Sequence, residues 1–170
     1  MIRPITEADI EAYRALRLRA LAEEPEAFGE AAEDFAVRPL EEIVTRLPPT
    51  EDAFILGAWE PDLVGMVGFV RQPGRKARHN AGIWGMYVAP ERRGRGIGRM
   101  LLTEALARAA ALPGLEQVHL TVVTTNAAAV GLYRSFGFVV YGTCPHALKL
   151  GDRYVDEELM VLELSGSPFP

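Results

Sequence analysis

The chain has 170 residues, 49% hydrophobic and 24% charged, with a formal net charge of −5; this predicts one domain with a real core and excludes a general nucleic-acid binder, whose surface would be basic. One cysteine, Cys144, excludes an intrachain disulfide and a cysteine-based zinc site. No run approaches the ~18 consecutive apolar residues of a membrane helix and the N-terminus lacks the apolar stretch of a signal peptide, so a cytoplasmic protein with no membrane partner is expected.

Ile2 to Ile5 reads as a short edge strand interrupted by Pro4. Thr6 is a good N-cap with Asp9 three residues later, and Ile10, Tyr13, Leu16, Ala20 and Leu21 keep helical spacing to about Glu23. Residues 26–37 read as a loop or broken helix, and Leu40 to Leu47 as a helix stopped by Pro48-Pro49. Ala53 to Trp59 and Leu63 to Arg71 form a hairpin around Pro61-Asp62, and the polar segment Gln72 to Asn80 is an exposed loop. Ala81 to Val88 is the next strand. A helix from about Gly96 to Ala111 buries Ile97, Leu101, Ala105 and Ala109. Val118 to Val123 alternates as a strand, Ala127 to Phe136 is a short helix broken by Gly137, and Phe138 to Tyr141 and Tyr154 to Leu164 are the last strands. The order is mixed α/β (α+β) in three layers. Residues 1–164 form the expected domain and 165–170 a frayed tail.

The segment Arg93-Gly94-Arg95-Gly96-Ile97-Gly98-Arg99 joins a strand to an amphipathic helix. Glycines at alternate positions let backbone amides approach a ligand, and a helix N-terminus offers unpaired N–H groups and partial positive charge. A diphosphate suits such a turn. Arginines at 92, 93, 95 and 99 concentrate positive charge there in an acidic chain. The glycine spacing is neither Gly-x-Gly-x-x-Gly nor a P-loop, which disfavours both nucleotide folds.

The hexapeptide Arg93 to Gly98 resembles the acetyl-CoA signature of the GNAT (GCN5-related N-acetyltransferase) superfamily, Gln/Arg-x-x-Gly-x-Gly/Ala. Ile83 to Pro90 resembles that family's central strand with its proline exit, Asn126 to Phe138 its Asn…Ala…Tyr…Gly-Phe segment, and Tyr154 to Met160 its last strand. The resemblance implies a sheet splayed between Ala81–Val88 and Val118–Val123, with the pantetheine arm of acetyl-CoA against the extended backbone of Met86, Tyr87 and Val88. It implies a diphosphate on Gly94 to Arg99, with Asn126 both capping its helix and reaching the arm. Tyr133 lies two turns from Asn126 on one helix face and is the candidate general acid for the departing thiolate. The implied reaction is direct attack of a primary amine, from a small molecule or a peptide or protein, in a ternary complex. A homodimer is compatible with the family, and a non-catalytic acyl-CoA-binding sensor is the alternative role.

The general base stays open, because the strand Ile83 to Val88 carries no carboxylate. Glu30, Glu33, Asp34, His79, His119 and Tyr87 are candidates, with a water chain as the alternative, and the acidic stretch Glu30–Asp34 favours a cationic acceptor. Cys144 lacks the neighbours of a nucleophile, and the three histidines are too scattered for a metal site.

Overall fold

The structure, a computed structural model, describes residues 1–45, 47 and 49–164; the expected tail 165–170 and the helix stop at Pro48 lie outside the described residues. Seven strands form one sheet in the order β1-β2-β3-β4-β5-β7-β6, with β1 at Ile2–Pro4, β2 at Ala53–Trp59, β3 at Leu63–Arg71, β4 at Asn80–Val88, β5 at Gln117–Val123, β6 at Val139–Leu150 and β7 at Arg153–Glu163. Among the described residues, only β4 and β5 run parallel. The helices are α1 (Ile10–Glu23), α2 (Ala32–Ala36), α3 (Leu40–Val44), α4 (Ile97–Ala110) and α5 (Ala127–Ser135). Among the described residues, no helix is long and apolar enough to cross a membrane.

Each face of the sheet has its own core. On one side α4 presents Ile97, Leu101, Leu102, Ala105 and Ala109 to Leu56, Val67, Phe69, Val118 and Met160, with Tyr133 and Phe138 in the same cluster. The alanines, fully buried, let the α4 axis sit close to the sheet. On the other side Tyr13, Leu16, Ala20 and Leu21 of α1 join Phe35 of α2, Ile43 of α3, Ile55 and Met66. These two cores make the three layers expected of the mixed α/β sequence.

The first helix begins as the Thr6/Asp9 spacing predicts, with a 3-10 turn over Glu7–Asp9 ahead of α1. The Asp9 carboxylate accepts from the Thr6 backbone N–H at 3.0 Å and from the Arg3 guanidinium through two bonds of 2.7 Å. The hydrogen bonds from Arg3, more than the backbone contact at Thr6, hold the Asp9 carboxyl far below its ordinary range. Asp9→Asn is therefore expected to cost about 1 kcal/mol of stability, the scale of a lost cap. Because the folded-state pKa is depressed, wild type and variant should differ fully above about pH 4 and converge as pH falls further, a comparison readable by urea denaturation.

The sequence expectation fell short in two places. The helix expected over Leu40 to Leu47 ends at Val44, although Leu47 is still fully buried. The strand expected over Phe138 to Tyr141 instead runs from Val139 to Leu150 and pairs with β7 as a long hairpin. Register shifts at Val140/Gly142 and Cys144/Leu148 absorb residues that read as breakers. At the second shift His146 takes φ 53° and its N–H donates to Asp156 Oδ1 at 2.7 Å.

Candidate active site

The parallel pairing of β4 with β5 covers only Asn80–Gly82 against Gln117–His119. Beyond that point the strands part, leaving their facing edges unpaired with each other over Ile83–Val88 and Leu120–Val123. A bulge accompanies the parting: Met66 pairs with Tyr87 but Gly68 with Trp84, so β4 holds one extra residue. Gly85 sits in it at φ +63°, a conformation side chains rarely adopt. The extra residue puts Ile83, Met86 and Val88 on the α4 face and Tyr87 in the opposite core. Across the pair, the Trp84 ring lies over Gly68, where a Cβ would stand 2.2 Å from it.

At the wide end of the splay lies the start of α4. Gly94 and Gly96 have φ of +75° and +80°, and no side chain caps the helix. The first N–H groups of α4 are thus open to a ligand. A cleft of about 690 Å³ begins here and is lined by Met86, Tyr87 and Val88 of β4, by Arg93, Gly94, Gly96, Ile97, Gly98 and Arg99, and by Asn126. Of the residues proposed from sequence to hold the cofactor, Arg95 alone is not brought to this cleft. It lies 3.1 Å from Glu60 in the β2–β3 turn. Arg92 does line the cleft, 3.6 Å from the same carboxylate. Arg93 is anchored by Val88 O at 2.9 Å and Glu24 at 2.8 Å, and Arg99 by Ser135 Oγ at 3.0 Å. Asn126 caps α5 as expected, its Oδ1 accepting from the Ala129 N–H at 3.1 Å.

A second cavity of about 240 Å³ borders the first, sharing Met86, Val123, Asn126, Ala129 and Leu132 with it. Tyr133 and Asn126, two turns apart on α5, both line it. Burial pushes the Tyr133 phenol up to about 12, so it carries its proton across the neutral range. Its ring packs edge-on against Phe138 at 5.9 Å.

Glu157 of β7 lines the same cavity and was not among the candidates from sequence. Of the three consecutive acids in β7, Asp156 accepts from His146 and Glu158 lies 3.8 Å from Arg134. The Glu157 side chain makes no ion pair or hydrogen bond among the described residues, and desolvation raises its carboxyl above the ordinary range. Its register partner is Val123, the last residue of β5. Also in this cavity are Phe28, Trp84 and the buried Arg17 of α1.

The bases considered from sequence are placed elsewhere or occupied. Glu30 is held by Arg17 at 3.1 Å and Arg38 at 2.5 Å, while Glu33 and Asp34 are exposed. His79 contacts Asn80 at the paired end of β4. His119, opposite Gly82, contacts Gln117 at 3.1 Å and Tyr141 edge-on. The Tyr87 phenol donates to Glu23 at 2.7 Å, and burial followed by that contact raises its pKa strongly. Among the described residues, no group of three His, Cys, Asp or Glu converges as a metal site.

The spermidine N(1)-acetyltransferase of Vibrio cholerae is 28% identical over 112 residues, 66% of this chain and 63% of that protein. The mycothiol acetyltransferase of Thermobispora bispora is 37% identical over 134 residues, 76% of this chain and 43% of that protein. The chain thus spans less than two thirds of the length of both curated relatives, 63% and 43%. The Salmonella typhimurium protein yncA, solved with its cofactor acetyl-CoA, superposes with a TM-score of 0.78 at 22% identity, covering 100% of this chain and 96% of that one. A profile of the Acetyltransferase (GNAT) family matches residues 14–138. With that match across the splayed strands, the turn into α4 and all of α5, the chain belongs to the GNAT acetyltransferase family.

Proposed function

We propose that the chain is an N-acetyltransferase that moves the acetyl group of acetyl-CoA to a primary amine in a ternary complex. The observation that carries this reading is one continuous path: the uncapped start of α4, the splay between β4 and β5, and a smaller cavity bearing Tyr133 and Glu157. The left-handed glycines and first N–H groups of α4 suit a diphosphate, and the unpaired edge of β4 suits an amide-bearing arm. The names of the Vibrio, Thermobispora and Salmonella proteins support acetyl transfer from acetyl-CoA.

Acetyl-CoA supplies an activated acyl carbon and a sulfur leaving group. On the protein side, Glu157 takes the proton that the amine loses as the new C–N bond forms. A carboxylate of raised pKa is a better base than an exposed one. Tyr133 faces the sulfur that departs as the C–S bond breaks. A phenol of about 12 is a weaker acid than a thiol of reference pKa about 8.5. Its role at neutral pH is therefore to hold the thiolate by a hydrogen bond rather than to surrender its proton outright. Asn126 keeps α5 seated so that the phenol stays at the cavity.

A carboxylate missing from β4 is what left room for a non-catalytic sensor; Glu157 reaches the cavity from β7 instead. Release of free thiol from acetyl-CoA, measured across polyamines, amino acids, aminoglycoside-like amines and peptides, tests the reading. Turnover with at least one amine is expected. Tight coenzyme A binding with silence across the whole panel would favour the sensor.

A further inference from the structure

The smaller cavity contains a cation as well as a carboxylate. Arg17 occupies the buried stripe of α1, between Tyr13 and Leu16 on one side and Ala20 and Leu21 on the other, and is 7% exposed. Its Nη2 donates to Glu30 at 3.1 Å, and its guanidinium lies 4.9 Å from the Phe28 ring and 6.0 Å from that of Trp84. Nη1, buried beside Gly85, has no hydrogen-bond partner. An ideal Cβ on Gly85 would stand 3.4 Å from Nη1, so the glycine of the bulge leaves that nitrogen room toward the cavity.

A buried guanidinium with an idle donor is costly unless something completes it. Glu30 cannot serve both nitrogens well, because Arg38 holds its other oxygen at 2.5 Å, with Glu42 a further 3.6 Å partner of Arg38. The guanidinium fork of Arg17, with Phe28 and Trp84 beside it, suits a planar anion such as a carboxylate. The cavity therefore pairs a fixed N–H donor from α1 with an unpaired acceptor from β7, Glu157. Those two features match the two ends of an amino acid. They do not match a polyamine, for which Arg17 would be a repulsive wall.

We infer that the acceptor is an amine carrying its own carboxylate, an amino acid or close analogue, with the carboxylate received by Arg17 Nη1 and the amine turned toward Glu157. This rests on the acetyltransferase reading and narrows it. It also reverses the cationic preference suggested by the acidic stretch Glu30–Asp34, since Glu30 is spent on Arg17 and Arg38.

The test uses matched acceptor series sharing a side chain: the free L-amino acid, its carboxamide, and the amine lacking the carboxyl group. Acetylation of each is followed as thiol release, with kcat/KM referred to the unprotonated amine so that differing amine pKa values do not intrude. The free acid is expected to be preferred about 10- to 100-fold over both analogues, the scale of a hydrogen bond to a charged group. In Arg17→Gln that ratio should fall toward one, while coenzyme A affinity by calorimetry reports that the fold and the larger cleft are intact. If the variant does not fold, the wild-type ratio still decides. Equal use of acids, amides and plain amines by the wild type would overturn the carboxylate inference and leave acetyl transfer standing. Failure to acetylate any amine, with coenzyme A bound, would overturn the transferase reading and this inference with it.

Discussion

Glu157→Gln is expected to lower kcat by about 10²–10⁴-fold, the range of a lost general base, with the affinity for coenzyme A unchanged. Glutamine keeps the volume and hydrogen-bonding reach of the side chain at the cavity but cannot accept the amine proton. The pH profile gives the second readout. Desolvation raises the Glu157 carboxyl, and the active form is the deprotonated one. Wild-type kcat should therefore rise with pH through a value above the ordinary glutamate range, about 4.3. In Glu157→Gln that acidic limb should vanish and leave a low, flat rate. A variant of wild-type turnover would remove Glu157 from the reaction and return the base to solvent.

Tyr133→Phe is expected to reduce kcat by about 10- to 100-fold, equivalent to one hydrogen bond to a developing charge. Phenylalanine preserves the edge-on contact with Phe138 and the place of the ring in the core, so stability and cofactor affinity should hold. The pH dependence separates this role from proton donation by a more acidic group. With the phenol near 12, the loss should be the same at pH 7 as at pH 9, because the hydroxyl keeps its proton at both. Normal turnover in the variant across that range would leave Tyr133 as a packing residue, with the fold untouched.

The parts of this cleft that were legible in the sequence are those made by local chain. Gly94 and Gly96 needed a left-handed turn, Asn126 sat where a cap belongs, and Tyr133 followed at helical spacing on the same short segment. The splay that brings Met86, Tyr87 and Val88 to the cleft came only from the family resemblance, and the strand pairing that brings in Glu157 was not legible. Glu157 enters the cavity only because β7 pairs with β5 and sets it opposite Val123. Nothing near it in the chain points to α5 or β4, and its neighbours Asp156 and Glu158 look identical in sequence. Arg95, whose place in the turn suggested the ligand, lies 3.1 Å from Glu60, 35 positions upstream, a contact between distant parts of the chain that the local pattern does not carry. The hairpin of β6 and β7 was underread because Gly142, Pro145 and His146 look like breakers, and register shifts carry the strand past them.

Arg17 did leave a signal. Tyr13, Leu16, Arg17, Ala20 and Leu21 fall at i, i+3, i+4, i+7 and i+8, so a cation stands in the apolar stripe of α1. Such a placement marks either an internal ion pair or a ligand contact. The guanidinium holds an ion pair through Nη2 and leaves Nη1 without a hydrogen-bond partner.

Calorimetric titration of the protein with coenzyme A and, separately, with pantetheine bears most directly on the whole account, because the two ligands share the arm and differ in the diphosphate and nucleotide. The first N–H groups of α4 and the arginines beside them are assigned to that difference, so coenzyme A should bind at least about tenfold more tightly. Equal affinities, or no binding of coenzyme A at millimolar concentration, would contradict it.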